Sequence, residues 1–534
     1  MRTTTKNLGS MSLLAPIRQQ RFWFWVLAST AGFLQCWSYR YWIESDGVNY
    51  LDVACAYLRR DWSAAINSYW SPFYSWLLAA VFFVVRPTPN LESTVLHLVN
   101  FLLFIGALLC GEFFLRELIE NRAQDSLPEW ALWSIGYSLL LFVSLFMNSA
   151  YLDTPDLCTS AVVYLAGGLL IRIRSGRATT LAFVLFGAAL GLAYLSKTVM
   201  FLVAFAFLAA VGIRRGTLVA AGCFAAVALP WILILSHSAG HMTYGDAGSA
   251  NYIKYVSYSG APVHPPRLIA SSPEVREFAT PIRATYPLWY ASPYWIEGLH
   301  PRFDLKTQYT VLRNNFRYYL HLLGGQKEFI AGFVLILIGW PSLSGVRWQL
   351  LLPSLWGFFL YGLIHVEPRL VGVFFFILGM TLFLSLRARS HRLIILATLL
   401  IVLVTAFKVV KAGVLAPSHV KNAQWQTAVA LKTMGLAPHS LVAVFGHGDE
   451  GDYWAHLGGF RVVADIETEN LPSYWSAPTR DRAQIIKGLE KLNVRAVICT
   501  KHPAEDGWQF ISGSPGYYVR FLSSTGSGNT GAER

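Results

Sequence analysis

Hydrophobic positions along this chain come in long unbroken runs, such as "LVNFLLFIGALLCGEFFL" (98–115) and "LIILATLLIVLVTAF" (393–407). A bilayer core roughly 30 Å thick needs about 20 consecutive apolar residues in a helix. The runs predict membrane helices near 22–39, 95–116, 130–148, 158–172, 179–196, 198–213, 216–236, 329–343, 349–365, 369–387 and 391–408. The fold class is therefore mainly α, a polytopic α-helical membrane protein with about eleven transmembrane helices. "FYSWLLAAVFFVV" (73–85) lies between Pro72 and Pro87 and is too short to span. It reads as a helix in the interface, with its tyrosine and tryptophan at headgroup level.

Polar positions supply the orientation. With the N-terminus inside, one side receives Arg18 and Arg21, Arg116 and Arg122, "RIRSGR" (172–177), Arg214 and Arg215, Arg347, and "RARSHR" (387–392). Short basic loops gather on the cytoplasmic side, and a crossing by 73–85 would break this alternation. The outer side then receives the loops 40–94 and 237–328, "YLDTPDL" (151–157), Lys197 and "HVEPRL" (365–370). After the membrane part (1–411), short apolar runs "LVAVFG", "RVVADI", "RAVICT" and "YYVRFL" alternate with helical stretches such as "DRAQIIKGLEKLN". This predicts a small extracytoplasmic α/β domain over 412–522, and 523–534 reads as a disordered tail.

Composition agrees: only 14% of residues are charged, and the mean hydropathy is +0.43. The net charge of +13 sits in membrane-flanking clusters, which argues against a nucleic-acid partner. Six cysteines without CxxC spacing give no disulfide framework or zinc motif. No small-residue cleavage site follows "FWFWVLASTAGFLQCW", so an uncleaved first helix is expected.

Ionisable groups gathered at one membrane surface mark a functional site, because they are costly near lipid. Asp46 lies just past the first helix in "ESDGVNYLDVA", with Glu44 before it and Tyr50 four residues on. The bland alternative is a solvated carboxylate or a helix cap. Asp153 and Asp156 flank Pro155 at a helix junction, where Asp156 or Thr154 could equally cap. Lys197 has no acid beside it in sequence; it either snorkels or holds a phosphate. His365, Glu367 and Arg369 share another outer junction, where Arg369 holds an anion or pairs with Glu367. "GHGDEGDYWAH" offers His447, Asp449, Asp452 and His456 at a spacing that matches no metal motif, and reads as a polar loop. The aromatic stretch 286–298 either stacks on sugars or floats at the interface.

The arrangement resembles the C-type (GT-C) membrane glycosyltransferases that use lipid-phosphate sugars, among them protein O-mannosyltransferases and the aminoarabinose transferase acting on lipid A. The matching pieces are Asp46 with Tyr50, "RRDW" (59–62), "YWSPFYSWLLA" (69–79), "TPDL" (154–157), "GLAYLSKTVMFLVAF" (191–205) and "EPRL" (367–370). Their order and shared side of the membrane carry the likeness. It implies a polyprenyl-phosphate-linked sugar donor, an acceptor that is protein, lipid or polysaccharide, and a bacterial inner-membrane location with the site facing outward. By resemblance Asp46 is the general base, and Lys197 and Arg369 neutralise the departing phosphate. Asp153 or Asp156 positions the acceptor or helps hold a divalent cation, Mg or Mn, and Glu44, Tyr50, His365 and Glu367 support. Two departures stand out: Ser71 replaces the basic residue that the aminoarabinose transferase has before this proline, and Leu370 stands where many relatives have Tyr. Asp52 and Asp61 share the loop without the family placement and are expected to be dispensable.

The competing class is a transporter or flippase of lipid-linked or anionic substrates. That class buries charge at mid-membrane and shows related halves. This chain does neither by sequence. A polymerase or ligase with a diphosphate-linked donor is the nearer rival.

Overall fold

The structure, a computed structural model, describes residues 8–258, 268–278, 284–286, 298–339, 347–387, 390–414, 421–447 and 452–522. The runs read from the sequence are helices: α1 Leu8–Ser38, α2 Ser45–Arg59, α3 Trp62–Ala65, α4 Pro72–Val85, α5 Glu92–Glu120, α6 Glu129–Phe142, α7 Asp156–Arg174, α8 Thr180–Ser196, α9 Met200–Val211 and α10 Arg215–Ala239. They continue as α11 Ala247–Tyr252, α12 Leu305–Gly324, α13 Lys327–Gly339, α14 Trp348–Gly362, α15 Pro368–Ser385 and α16 His391–Val414.

Six of these are long and apolar enough to cross a membrane alone, among the described residues, with α6 counted on through a π-helical turn to Met147, and a bent pair, α12 with α13 at 76°, would make a seventh. The expected eleven is thus not reached by length. At 17 and 12 residues, α8 and α9 are short for a span. The 14-residue α4 is short as well. It buries Tyr74, Leu78 and Phe82 while exposing Phe83, Val84 and Val85. The segment 237–328, read as loop, holds the 20-residue α12. Its apolar residues alternate with Arg313, Arg317 and two asparagines, so no continuous run announced it.

One long helix separates the two ends of the bundle. At its C-terminal end α5 offers Glu117 and Glu120 to Arg172 and Arg177, and nearby Asp125 meets Arg387 at 2.8 Å. At its first residue Glu92 meets His456 at 3.0 Å. Twenty-nine residues at about 1.5 Å each put these ends roughly 43 Å apart. The basic loops and the α/β unit therefore lie at opposite ends.

That unit contains α17 Ala423–Thr433, α18 Tyr453–Gly458, α19 Leu471–Ser476 and α20 Thr479–Lys491. Its sheet has the order β1-β2-β4-β3-β5-β7-β6, with β1 Leu268–Ser271, β2 Glu274–Glu277, β3 Leu441–His447, β4 Arg461–Glu467, β5 Val494–Cys499, β6 Gln509–Phe510 and β7 Tyr518–Phe521. All four strand runs read from the sequence are present. The parallel centre is β4-β3-β5. The β1–β2 hairpin comes from the long segment 237–328 and pairs antiparallel on β4. The unit is thus built from two stretches of chain, and 412–522 supplies only part of its sheet. The tail 523–534 lies outside the described residues.

Candidate active site

The site begins where α1 ends. Glu44 is extended (φ −75°, ψ 165°) and precedes α2, which places Asp46 in that helix's first turn. Carboxylates are favoured there by the unpaired N–H groups of a helix N-terminus. Across from it, Pro368 opens α15 behind Glu367, and proline suits a first helical position because that N–H has no partner anyway. The two helix starts face each other through Arg369. Its Nε donates to Glu367 Oε2 (2.6 Å), Nη1 to Glu44 Oε1 (3.1 Å) and Nη2 to Asp46 Oδ2 (2.8 Å). One guanidinium so gathers three carboxylates, using three of its five N–H donors.

Further residues extend the cluster. His365 Nε2 lies 3.0 Å from Glu367 Oε1, and the Tyr255 ring stacks on His365 with centroids 4.1 Å apart. Lys197 donates to Asp156 Oδ1, and Thr154 Oγ1 to Asp156 Oδ2 (2.7 Å). Lys197 has no acid beside it in sequence, and the fold supplies one from 41 residues away. Neither Thr154 nor Asp156 is the cap of α7, whose preceding residue is Pro155. Ser71, the family departure, has its Oγ 3.3 Å from Thr198 Oγ1, next to Lys197.

Asp153 is placed differently. It is fully buried, accepts from Asn100 Nδ2 at 3.0 Å, and lies beneath α2. Asn100 in turn accepts from the Tyr74 hydroxyl at 2.7 Å, so α4, α5 and the 148–155 junction together support the start of α2. Gly47 makes this approach fit: a Cβ there would stand 2.6 Å from Asp153 Cβ. Asp153 is a support rather than a group at the mouth of the site. Tyr50 is also a packing residue, buried with its ring against Trp70 and Tyr74.

Electrostatics follow from this packing. Burial, and then the Asp46 carboxylate, raise the Glu44 carboxyl above the usual range. Burial also works to raise Glu367, but the His365 hydrogen bond and the Arg369 charge hold it down at about 2. Asp153 is pushed well above its ordinary value by burial first and Glu44 second. Burial lowers the Lys254 ammonium, with Asp46 and Glu367 pulling the other way.

Sequence reading missed Lys254 and Tyr255, which sit on a π-helical turn, Ile253–Ser257. Such turns favour functional sites, but nothing in the local pattern announces one. The sequence expectation gives Asp153 or Asp156 a part in holding a divalent cation. Both Asp156 oxygens are engaged and Asp153 is sealed, and among the described residues no three His, Cys, Asp or Glu donors converge there. His447 and Asp449, with most of the aromatic stretch 286–298, lie outside the described side chains. His456 is not a free loop residue: its Nδ1 lies 2.7 Å from Asp52 Oδ1.

No protein-family model matches this chain, and no curated protein matches it in sequence. Solved structures do. ArnT from Cupriavidus metallidurans, a lipid A aminoarabinose transferase, in the apo state superposes with a TM-score of 0.53 at 12% identity, over 95% of this chain and 99% of that one. The same protein bound to undecaprenyl phosphate gives 0.56 at 10% identity, over 93% and 97%. The Archaeoglobus fulgidus oligosaccharyltransferase, in complex with zinc and sulfate, is looser at 0.45 and 11% identity, over 89% of this chain and 67% of that one. End to end, then, the chain has the GT-C fold of polytopic membrane glycosyltransferases.

Proposed function

We propose that this chain transfers a sugar from a polyprenyl-phosphate carrier to an acceptor on the extracytoplasmic side of the bacterial inner membrane. One observation carries the reading: on a GT-C fold, Arg369 joins Glu44, Asp46 and Glu367 at the start of α2, where the first long helix ends. An isoprenoid carrier stays in the bilayer, so its phosphate and sugar emerge at that level.

The chemistry follows from the contacts. Asp46 gives Oδ2 to Arg369, and no described residue bonds its Oδ1. That oxygen accepts the proton of the acceptor hydroxyl or amine as the acceptor attacks the anomeric carbon. The bond from that carbon to the phosphate oxygen breaks, and the electron pair leaves with the polyprenyl phosphate. General-base assistance of this kind is worth about 10²–10⁴-fold. The two Arg369 N–H donors that no described residue bonds, with Lys197, offset the charge growing on the phosphate. An apolar groove lined by Phe142, Phe146, Met147 and Leu322 reaches Pro368, with Lys408 and Lys411 on its rim. It supports an isoprenoid tail lying beside Glu367 and Arg369.

Purified protein with a polyprenyl-phosphate sugar and a panel of acceptors tests the proposal. Asp46→Asn keeps the size and removes the base, so transfer should fall by about 10²-fold or more while the protein remains folded. Transfer at the parental rate by this variant would remove Asp46 from the chemistry. Transbilayer movement of lipid without any transfer would favour the flippase reading instead.

A further inference from the structure

A second group of chemically capable side chains lies away from the proposed sugar site. Cys55, on α2, Glu92, the first residue of α5, and His456, on α18, bring one donor atom each within 4.8 Å of one another. They come from three elements, two in the membrane part and one in the α/β unit. His456 Nε2 points at Glu92 Oε1 (3.0 Å), while its Nδ1 faces Asp52 Oδ1 at 2.7 Å. Asp52 is itself fixed by Thr285, through the backbone N–H (2.7 Å) and the hydroxyl (2.9 Å). The Tyr453 hydroxyl donates to Glu92 Oε1 at 3.2 Å.

This is the wiring of a metal-binding histidine. One ring nitrogen is held by a carboxylate, which fixes the tautomer and aims the other nitrogen at the ion. Zinc takes tetrahedral ligands with bonds of about 2.0–2.1 Å to nitrogen, 2.0–2.2 Å to carboxylate oxygen and 2.3 Å to sulfur, which separates neighbouring donors by roughly 3.3–3.6 Å. The His456–Glu92 separation is 3.0 Å, so a few tenths of an ångström would admit the ion. A buried imidazole clamped between two carboxylates needs no thiol, yet Cys55 stands in the same group, one helical turn beyond Asp52 on α2. The thiol also selects the metal. Thiolate, imidazole and carboxylate together suit zinc, whereas magnesium and manganese take oxygen ligands.

We propose that Cys55, Glu92 and His456 bind a zinc ion that ties the α/β unit to α2 and α5, with Asp52 orienting His456 and water completing the tetrahedron. Cys55 stands nine residues past Asp46 on the same helix, about 14 Å along its axis. The ion therefore acts on domain docking and does not touch the reacting sugar.

Metal analysis of full-length protein, stripped with chelator and reloaded with zinc, is the test, and it needs no activity. A single zinc per chain is expected, with a raised melting temperature. Cys55→Ala should lose the zinc and that increment yet stay folded, because the direct Asp52–His456–Glu92 contacts remain. Cobalt(II) in place of zinc should give a thiolate-to-cobalt charge-transfer band that Cys55→Ala abolishes. Zinc bound equally by the parent and Cys55→Ala, no zinc above background, or a cobalt spectrum without the thiolate band would each overturn the proposal. Displacement of the zinc by equimolar magnesium would overturn it too.

Discussion

Replacing Gly47 by alanine tests whether the start of α2 positions the reaction. Gly47 has no positive φ, so its only special need is space. A Cβ at this position would lie 2.6 Å from Asp153 Cβ and 3.0 Å from Ile43 Cγ2. Carbon atoms pack comfortably at about 3.5–4.0 Å, so roughly 1 Å must be found. Asp153 cannot yield it, because the clashing atom is the stem of a fully buried side chain held by Asn100. The first turn of α2 must lift, carrying Asp46 with it. A rise of that size turns the 2.8 Å Arg369–Asp46 hydrogen bond into a contact too long to count as one. Misplacing a reacting group by 1 Å costs on the order of 10²-fold in rate. Stability should suffer less: overpacking costs about 1–3 kcal/mol, and alanine's helix propensity returns up to about 1 kcal/mol. Single-turnover transfer from a polyprenyl-phosphate sugar, beside melting in detergent, separates the two effects. Gly106→Ala is the control, since nothing lies within 4 Å of its would-be Cβ. A Gly47→Ala enzyme with parental transfer would show that the α2–Asp153 contact does not position Asp46.

Other outcomes follow from the same contacts. Arg369→Lys puts one point charge where a planar fork joins three carboxylates, so transfer should drop by about 10²-fold or more without loss of membrane insertion; unchanged kinetics would refute the gathering role. Asp52→Asn, expected from the sequence to be silent, removes a buried charge bound to Thr285 and His456, and breaking such a pair costs about 3–5 kcal/mol. Asp61→Asn, at a half-buried helix cap that asparagine can also make, should stay within about 0.5 kcal/mol; hydrogen exchange over 423–522 distinguishes them, and equal protection in both would refute the docking role. Because Glu367 is depressed to about 2 from an ordinary 4.5, its contribution to stability is present above pH 4.5 and is lost as pH falls toward 2; Glu367→Gln should flatten that part of the melting profile. An impermeant thiol label should reach cysteines engineered at 44–68 and 440–500 but not at 174–177, and the reverse pattern would invert the orientation.

Hydropathy is local, and what it governs could be read along the chain. The apolar runs are helices, the stretch between Pro72 and Pro87 is a short one, and all four β-like runs of the C-terminal unit pair in a sheet. In the structure Asp46, Lys197 and Arg369 lie toward the end of the bundle away from the basic loops. Pairing is not local. Arg369 meets Glu44 and Asp46 across 325 and 323 residues, and His456 meets Asp52 across 404. Asp46 and Asp52 lie on one helix, and six residues turn them about 120° apart. One therefore faces Arg369 and the other the α/β unit. No pattern along the chain tells them apart, because burial is decided by what packs against each face. The same holds for Asp153 beneath Gly47 and for the hairpin that the segment 237–328 lends to the sheet. Sequence determined that the long apolar runs are helices and which residue types stand at their ends; the packing of helix ends against one another decided which of those charges became partners.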